Sequence, residues 1–268
     1  MLSIICPTYN SMETINDLID SMLNQKSIKN NLEIIFIDDG STDKTVKLLE
    51  KGILKLQNNK YKASLYKSEH KGPGAARNLG IKNSQFDYIA FIDSDDIWYE
   101  EKIYTCHKII INNPEYNIFI HDENYVRENG RRNKIINGNF KGPLHKSLYI
   151  KNCLSTSAVV LKKDLFLKYG DFDEKLMSSQ DYDLWLKFSK HLMPYKIDQI
   201  LGEYRETKTS ISSKFYLYRF VDQLIIAHRY KHYVNILQYF KKLLKIVFSK
   251  QWIFGIKNII LRRQSHNY

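Results

Sequence analysis

The sequence has few cysteines and no long apolar run, and both shortages exclude classes of protein. Its 268 residues include three cysteines, Cys6, Cys106 and Cys153, which lie far apart and form no C-x-x-C pair or Cys/His cluster. This pattern argues against a zinc site and favours reduced thiols in a cytosolic compartment. No run of about 18 apolar residues occurs, so we expect no membrane-spanning helix. The apolar residues 2–6 are followed at once by a Pro-Thr-Tyr-Asn turn, which is unlike a signal peptide.

Acidic residues are scarce in the last quarter of the chain. Residues 201–268 hold 13 Lys/Arg and 3 Asp/Glu, whereas the first 200 residues hold 28 and 26, so most of the net charge of +12 lies at the C-terminal end. We expect this end to meet any anionic surface. The content of 43% hydrophobic and 26% charged residues is ordinary for a globular protein, and the length allows one domain with or without an appendage.

The first hundred residues alternate apolar runs with helical patterns. Strands are predicted at 2–6, 32–37, 63–66 and 88–92. Asn10 and Ser41 are predicted to cap the helices after the first two strands. This alternation predicts an α/β protein with a mainly parallel sheet covered by helices on both faces. A hairpin at 118–138, a strand at 155–161 and helices at 180–191 and from about 214 complete the prediction, which contains no internal repeat.

Acidic residues follow two of these strands where the strands end: Asp38-Asp39, and then Asp93, Asp95 and Asp96. Because ligands bind at the carboxyl ends of parallel strands, both groups are predicted at one rim, beside Pro7-Thr8-Tyr9. One interpretation is a solvated turn that caps the next helix. The other is a metal–nucleotide site, since crowded carboxylates repel one another unless a cation such as Mg²⁺ or Mn²⁺ joins them. Such an ion usually binds a diphosphate, and we favour this second interpretation.

The stretch HKGPGAARNLGI (70–81) marks the start of a helix after the third strand. It differs from the dinucleotide fingerprint G-x-G-x-x-G because Arg77 replaces the third glycine and the stretch follows the third strand, not the first. It is either a tight glycine turn at a helix N-terminus or a site where free N–H groups and Arg77 meet an anionic ligand. No Walker A sequence occurs, which argues against a P-loop nucleotidase.

Asp181 begins the apolar face of the helix QDYDLWLKFSKH, since Leu184, Trp185 and Phe188 follow it at helical spacing. It is either an N-terminal carboxylate favoured by the helix dipole or a partly desolvated general base. Spacing leaves both alternatives open.

Five ordered motifs carry a resemblance. IICPTYNS, IIFIDDGSTD, GPGAARNLGI, YIAFIDSDD and YGDFDEKLMSSQDYDLWLKF resemble, in order and approximate spacing, those of family 2 glycosyltransferases with the GT-A (Rossmann-like) fold. The match covers about residues 1–212. It implies inverting transfer of a sugar from a nucleotide diphosphate to an acceptor hydroxyl. It also implies a mixed, mainly parallel sheet, with a nucleotide-binding half at 1–100 and an acceptor-binding half at 101–213.

The resemblance also implies roles for individual residues. Pro7, Thr8 and Tyr9 would border the base, with Tyr9 stacking on it, and Asp39 would accept the imide N–H of a UDP- or dTDP-sugar. Arg77 would lie near the nucleotide or its phosphates. Asp93 and Asp95 match the D-x-D motif, with Asp95 the direct ligand of Mn²⁺ or Mg²⁺ and Asp93 near the ribose or a metal-bound water. Asp181 matches the catalytic base.

Two departures from the family pattern affect the site. Gln180 replaces the usual glutamate before Asp181, which leaves the base but changes its neighbour. In GEYRETKTSIS (202–212), which contains Arg205, Thr207 stands where the family has a histidine that helps hold metal or diphosphate. The metal affinity of the site is therefore not fixed by the motifs. The two departures also motivate one alternative function, a catalytically impaired protein that binds sugar nucleotides. A second alternative is a nucleotidyltransferase, which would release pyrophosphate.

The C-terminal segment, 214–268, is basic and amphipathic. Ile236, Phe240 and Leu244 repeat at helical spacing, with Lys242 and Lys245 largely on the other side. The segment is either a helical subdomain docked on the core with a solvated basic face, or a helix that binds an anionic bilayer. Nucleic-acid binding is disfavoured, since no recognised motif accompanies the charge. We expect an enzyme of surface polysaccharide or glycolipid synthesis, peripheral at the cytoplasmic face of the inner membrane, with a glycan or lipid-linked acceptor.

Overall fold

The computed structural model describes residues 1–26, 31–207 and 216–249. The strands are β1 (Leu2–Thr8), β2 (Leu32–Asp38), β3 (Lys62–Lys67), β4 (Tyr88–Phe91), β5 (Ile97–Trp98), β6 (Ile118–Val126), β7 (Arg132–Ile135), β8 (Val159–Lys162) and β9 (Pro194–Arg205). The helices are α1 (Ile15–Leu23), α2 (Thr45–Asn58), α3 (Pro73–Asn83), α4 (Lys102–Asn112), α5 (Leu144–Ile150), α6 (Asp164–Tyr169), α7 (Gln180–Phe188), α8 (Tyr216–Arg229) and α9 (Ile236–Val247). The prediction of an α/β fold is confirmed.

All nine strands belong to one mixed sheet in the order β3-β2-β1-β4-β8-β6-β9-β5, with β7 beside β6. The first four strands run parallel, as predicted, and β8 lies antiparallel between β4 and β6. The parallel half places the carboxyl ends of β1, β2, β3 and β4 along one edge. The loops that follow these strands, where the motif residues lie, therefore meet there.

The sheet separates two apolar clusters because successive side chains of a strand point to opposite faces. In β1, Ile4 belongs to the cluster formed with α1, α2 and α4, whereas Ile5 belongs to the cluster formed with α5, α6 and α7. Both are fully buried, and every residue of β1 and β2 is buried. The sheet is thus covered on both faces, as the continuous apolar runs predict.

The predicted caps at Asn10 and Ser41 are wrong. Helix α1 begins at Ile15 and α2 at Thr45, several residues later than expected. Asn10 has a positive φ of 47° and its side-chain oxygen accepts hydrogen bonds from the backbone N–H groups of Thr42 and Asp43. Its side chain joins the loops after β1 and β2, because short polar side chains satisfy loop backbone as readily as helix ends.

Two other local predictions are tested by the strands of the second half. The hairpin at 118–138 is confirmed: β6 pairs antiparallel with β7, and Gly130 has a positive φ in the turn. The strand predicted at 155–161 is correct only in its second part. Residues Thr156–Ala158 form a 3-10 turn, and β8 begins at Val159.

Helix α8 packs on the core through Ile226 and Ala227, both buried, and the Tyr149 hydroxyl donates to the Ala227 carbonyl at 2.8 Å. Arg229, at its end, donates to Asp183 of α7 at 2.6 Å. In the described part of the chain, no helix has the length and apolar character needed to cross a membrane.

Helix α9 docks on the core through buried Ile246, as one alternative expected; Lys241 and Lys245 stay exposed, whereas Lys242 is half-buried. Lys242 and Lys245 face a cavity of the protein. The apolar side chains of Ile236, Phe240 and Leu244 are 54–68% exposed. The predicted segment beyond Ser249 lies outside the described residues.

Candidate functional site

A cavity of about 240 Å³ lies at the carboxyl ends of the parallel strands. It brings together seven residues predicted to act at the donor end, namely Pro7, Thr8, Tyr9, Asp39, Arg77, Asp93 and Asp95. We call it the rim cavity. Further lining comes from Ser11, Thr14, His70, Pro73, Ser94 and Tyr204. The arrangement follows from the sheet, since these residues lie at the end of β1, in the segments after β1 to β4, in the first turns of α3 or, for Tyr204, near the end of β9.

Asp39 is held in place by the loop that follows β3. One carboxylate oxygen accepts from the Lys71 N–H and the other from the Gly72 N–H, both at 2.9 Å, and the residue is 2% exposed. His70 lies 2.8 Å from the second oxygen through Nδ1. Since a carboxylate has about four acceptor positions, Asp39 keeps capacity for another donor.

Tyr9 and His70 stack on each other at the mouth of the rim cavity. Their ring centroids are 4.0 Å apart and their planes are 16° from parallel. The pair offers a flat aromatic surface suited to a nucleobase. Sequence reasoning missed His70: it opens the quoted stretch 70–81, but a lone histidine gives no signal until Asp39 is seen beside it.

The three aspartates after β4 have three different environments. Asp93 receives a hydrogen bond from Arg77 Nη2 at 2.5 Å and lines the rim cavity. Asp95 lines the same cavity. Asp96 points inward: it is 1% exposed and accepts from the Ser157 hydroxyl at 2.6 Å and the Arg205 N–H at 3.0 Å. Burial, followed by the charges of Asp95 and Asp93, raises the pKa of Asp96 well above its usual range.

Arg205 and Thr207 hold this turn from the other side. Arg205 Nε donates to the carbonyl of Asp95 at 2.5 Å, while its Nη1 donates to Asp17 at 2.8 Å. The Thr207 hydroxyl donates to the Asp95 carboxylate at 3.2 Å. The position where the resemblance expects a histidine therefore contacts a predicted metal ligand through a hydroxyl group.

The carboxylates fit a metal that is shared with a substrate. Among the described residues, no group of three or more His, Cys, Asp or Glu side chains is placed to hold a metal ion alone. Asp93 and Asp95 nevertheless line one cavity. Mg²⁺ is commonly bound by one or two carboxylates and completes its coordination with water and substrate phosphates. The donor set fits such an ion, whereas it does not fit an all-protein metal cage.

Asp181 lines a second, larger cavity of about 600 Å³, which we call the acceptor-side cavity. It shares Pro73, Arg77, Asp93 and Tyr204 with the rim cavity, so the two adjoin. Asn152 donates to Asp181 at 3.4 Å. Desolvation by burial raises the pKa of Asp181, while the Tyr182 N–H and the charge of Arg77 act in the opposite direction. A raised pKa suits a carboxylate that takes a proton near neutral pH.

Gln180 has a packing role. It is buried and its Nε2 donates to the Leu176 carbonyl at 2.6 Å. A Cβ at Gly74 would lie 2.7 Å from the Gln180 amide, so a larger residue at that position of α3 would require the Gln180 side chain to move. This close approach sets the first turn of α7, and hence Asp181, against the helix that carries Arg77.

The model of the family described as Glycosyl transferase family 2 matches residues 3–170 of the chain. The chain belongs to this family. Among curated members, a glycosyltransferase from Escherichia coli, named UDP-Glc:alpha-D-GlcNAc-diphosphoundecaprenol beta-1,3-glucosyltransferase WfgD, is 34% identical over 222 residues, which cover 80% of each protein. An uncharacterized glycosyltransferase from Rickettsia felis is 31% identical over 76% of this chain. The chain spans about a third of the length of that relative, since the match covers 33% of it.

Solved structures share the fold of this glycosyltransferase family member. S. aureus TarS 1–349 in complex with UDP-GlcNAc matches with a TM-score of 0.67 and 21% identity, over 97% of this chain and 80% of TarS 1–349. The mannosyltransferase PcManGT from Pyrobaculum calidifontis, in complex with GDP-Man and Mn²⁺, matches with a TM-score of 0.66 and 14% identity, over 99% and 75%. At such identities the likeness confirms the GT-A fold alone.

Proposed function

We propose that this family 2 member is an inverting glycosyltransferase that moves a sugar from a UDP- or dTDP-sugar to a hydroxyl group of an acceptor. The observation that carries the proposal is the junction of two cavities. The rim cavity is lined by the residues predicted to bind the nucleotide, and the acceptor-side cavity is lined by the carboxylate of Asp181. Arg77 and Asp93 line both cavities. A sugar at this junction would present its anomeric carbon toward Asp181.

The nucleotide would bind in the rim cavity. Pro7, Thr8 and Tyr9 border the place proposed for the base, and Tyr9 supplies the stacking ring. Asp39 is held by backbone N–H groups and would accept the imide N–H of uracil or thymine, which cytosine lacks. A uridine nucleotide is supported by S. aureus TarS 1–349, which shares the fold and was solved in complex with UDP-GlcNAc.

The diphosphate would lie beside Asp93 and Asp95, with Mn²⁺ or Mg²⁺ held chiefly by Asp95. When bound, such an ion stabilises the negative charge that develops on a departing diphosphate. Arg77 is already hydrogen-bonded to Asp93 and would contribute a fixed positive charge near the phosphates. Thr207 and Arg205 would keep Asp95 in position.

Asp181 would accept the proton of the attacking hydroxyl group. Its raised pKa makes it a better base than an exposed aspartate, and Asn152 orients it by a hydrogen bond. As the acceptor oxygen bonds to the anomeric carbon, the bond to the diphosphate breaks and its electron pair leaves with the diphosphate. This single displacement inverts the anomeric centre and requires no second carboxylate as nucleophile.

The acceptor class is proposed as a glycan or a lipid-linked sugar of surface polysaccharide or glycolipid synthesis, at the cytoplasmic face of the inner membrane. The name of the E. coli relative includes a diphosphoundecaprenol acceptor. Exposed Ile236, Phe240 and Leu244 on α9 suit the headgroup layer of an anionic bilayer.

Flotation with phosphatidylglycerol vesicles should be lost when Phe240 and Leu244 are both changed to serine. Flotation equal to that of the wild type would contradict membrane association through α9.

The test of the reaction is a screen of nucleotide sugars with Mg²⁺ or Mn²⁺, in which both UDP or dTDP and pyrophosphate are measured. Release of the nucleoside diphosphate supports the proposal, because slow donor hydrolysis can reveal the donor before the acceptor is known. Pyrophosphate release would instead identify a nucleotidyltransferase. Tight UDP binding without turnover on any acceptor pool would indicate an impaired, nucleotide-binding protein.

A further inference from the structure

The acceptor-side cavity has a cationic wall built largely by the two C-terminal helices. Arg219 of α8 and Lys242 and Lys245 of α9 line it, and Lys151, directly after α5, adds a fourth positive charge. The carboxylates among its described lining residues are Asp93, which is paired with Arg77, and Asp181. The cavity therefore has an excess of positive charge on the side away from the rim cavity.

These four cations are not neutralised within the described part of the chain. No described carboxylate forms an ion pair with any of them. Arg229, which lies on α8 like Arg219, differs from these four cations because it forms ion pairs with both Asp183 and Asp173. Unpaired cations that converge on a concave surface attract anions, because the low-dielectric walls concentrate their field.

Helical spacing and one set of hydrogen bonds aim these cations at the cavity. Lys242, Lys245 and Ile246 lie three and four residues apart, hence on one face of α9. On α8, Asp222 accepts from the N–H of Ser178 at 2.7 Å and from its hydroxyl at 3.0 Å. Because Ser178 stands just before α7, this contact places Arg219, one turn earlier on α8, close to the segment that carries Asp181.

Lys242 is the most enclosed of the four cations. Its Nζ donates to the Tyr182 hydroxyl at 3.2 Å and lies 5.0 Å from the centre of that ring. Burial, with a smaller contribution from the charge of Lys245, lowers the pKa of Lys242 to about 8. The Tyr182 hydroxyl donates onward to the Tyr149 carbonyl, so the lysine has a hydrogen-bond acceptor but no counter-ion among the described residues. An anion in the cavity would supply one.

We propose that Arg219, Lys242 and Lys245 bind a phosphate or diphosphate ester carried by the acceptor, beside the hydroxyl group that Asp181 activates. This inference rests on the proposed function, since it assigns the acceptor to the larger cavity. The site is separate from the place of the donor diphosphate, which lies beside Asp93 and Asp95 in the rim cavity. The acceptor would thus be recognised by its charged anchor as well as by its sugar.

The kinetic test uses one acceptor sugar in three forms: free, as the 1-phosphate and as a geranyl diphosphate ester. For the wild-type full chain we expect KM to fall about tenfold or more from the free sugar to the phosphorylated forms, as charge-assisted hydrogen bonds predict. Lys242→Gln and Lys245→Gln should each remove most of that difference by raising KM for the phosphorylated forms. Lys241→Gln is the matched control, because Lys241 is an exposed lysine of α9 that does not line the cavity.

Two kinetic results would overturn the proposal. One is equal KM values of the wild type for all three forms of the acceptor. The other is a loss of the preference for phosphorylated acceptors in Lys241→Gln as large as in Lys242→Gln and Lys245→Gln. Donor hydrolysis measured without acceptor distinguishes failure of the anion subsite from failure of the proposed transferase function. UDP or dTDP release with no preference for phosphorylated acceptors leaves the transferase assignment intact and removes the anion subsite. If Lys242→Gln folds poorly, Lys242→Arg serves as the second variant. Because it keeps the charge, it should retain much of the preference for phosphorylated acceptors.

A binding test needs no knowledge of the acceptor sugar. The lysines are ¹³C-methylated, the Lys242 signal is assigned by its absence in Lys242→Gln, and its pH titration is followed by NMR with EDTA present. Inorganic pyrophosphate and geranyl diphosphate are the probes. A rise in the Lys242 pKa with both probes supports the subsite and assigns recognition to the phosphates alone. A rise with geranyl diphosphate only supports a prenyl-linked acceptor, and no rise with either overturns the proposal.

Discussion

The two adjoining cavities of this protein are built in opposite ways. The rim cavity is lined mainly by residues at or shortly after the carboxyl ends of the parallel strands, and backbone N–H groups hold Asp39 within it. The acceptor-side cavity is lined by residues from separate segments between Pro73 and Ser249, including two C-terminal helices. Local chain geometry fixes the first cavity, whereas helix docking creates the second. The donor end is therefore expected to withstand changes that disable the acceptor end.

Asp181→Asn should give the largest difference between the functions of the two cavities, because it should lower the transfer rate without lowering UDP affinity. An asparagine cannot take the proton, so transfer should fall by about 1000-fold, within the range of general-base catalysis. UDP affinity should be nearly unchanged, because Asp181 lines only the acceptor-side cavity. Transfer assays and calorimetry measure the two effects. Asp198→Asn, at an exposed position outside both cavities, is the control; surviving transfer in Asp181→Asn would refute the base assignment.

Arg229→Met tests whether α8 depends on its ion pair with α7. Removing the arginine leaves Asp183 buried without its partner, and we expect a loss of about 2 kcal/mol in the free energy of unfolding. This value is below the cost for a fully buried pair, since Arg229 is 38% exposed. Urea denaturation measures it. Lys168→Met breaks the exposed pair with Asp164 and should cost much less, because solvent screens that pair. Equal losses in the two variants would show that Arg229 does not anchor α8.

Gly74→Ala should impair catalysis through contact with Gln180. The new Cβ would meet the Gln180 amide at 2.7 Å, so the amide must move away from the Leu176 carbonyl, and the lost hydrogen bond should loosen the first turn of α7. A shift of Asp181 by a fraction of an ångström should lower kcat about tenfold. Adding Gln180→Ala removes the clash and should restore part of the rate, as a double-mutant cycle can measure. Additive losses would mean that Gly74 matters for another reason.

The pH dependence of kcat should show the environment of Asp181. Because burial raises its pKa, the fraction of ionised base, and with it the rate, should fall as the pH drops through a value above the usual aspartate range. The change is at most about tenfold for each pH unit. A kcat profile that stays flat to about pH 4 would be incompatible with this desolvated base.

The sequence predicted the rim cavity better than its surroundings. Pro7, Thr8, Tyr9, Asp39, Asp93 and Asp95 were expected at one edge, and Arg77 near the nucleotide or its phosphates. All seven line one cavity, whereas Asp38, also expected at that edge, does not line it. The inward turn of Asp96 was not predicted, because its partners Ser157 and Arg205 are distant in sequence. For the same reason the stacking of His70 on Tyr9 was missed. The caps failed because Asn10 bonds to another loop instead of its own helix.

The amino-acid sequence by itself determined the α/β fold and the common position of the donor residues. Strand periodicity and five short motifs are local properties, and parallel strands bring their carboxyl ends to one edge without further information. Only the tertiary structure decided which face of α9 meets the core. An amphipathic pattern defines two faces but does not select the docked one, and here the side with Lys242 and Lys245 lines the cavity. The reason is physical: that choice depends on contacts between helices that are remote in sequence.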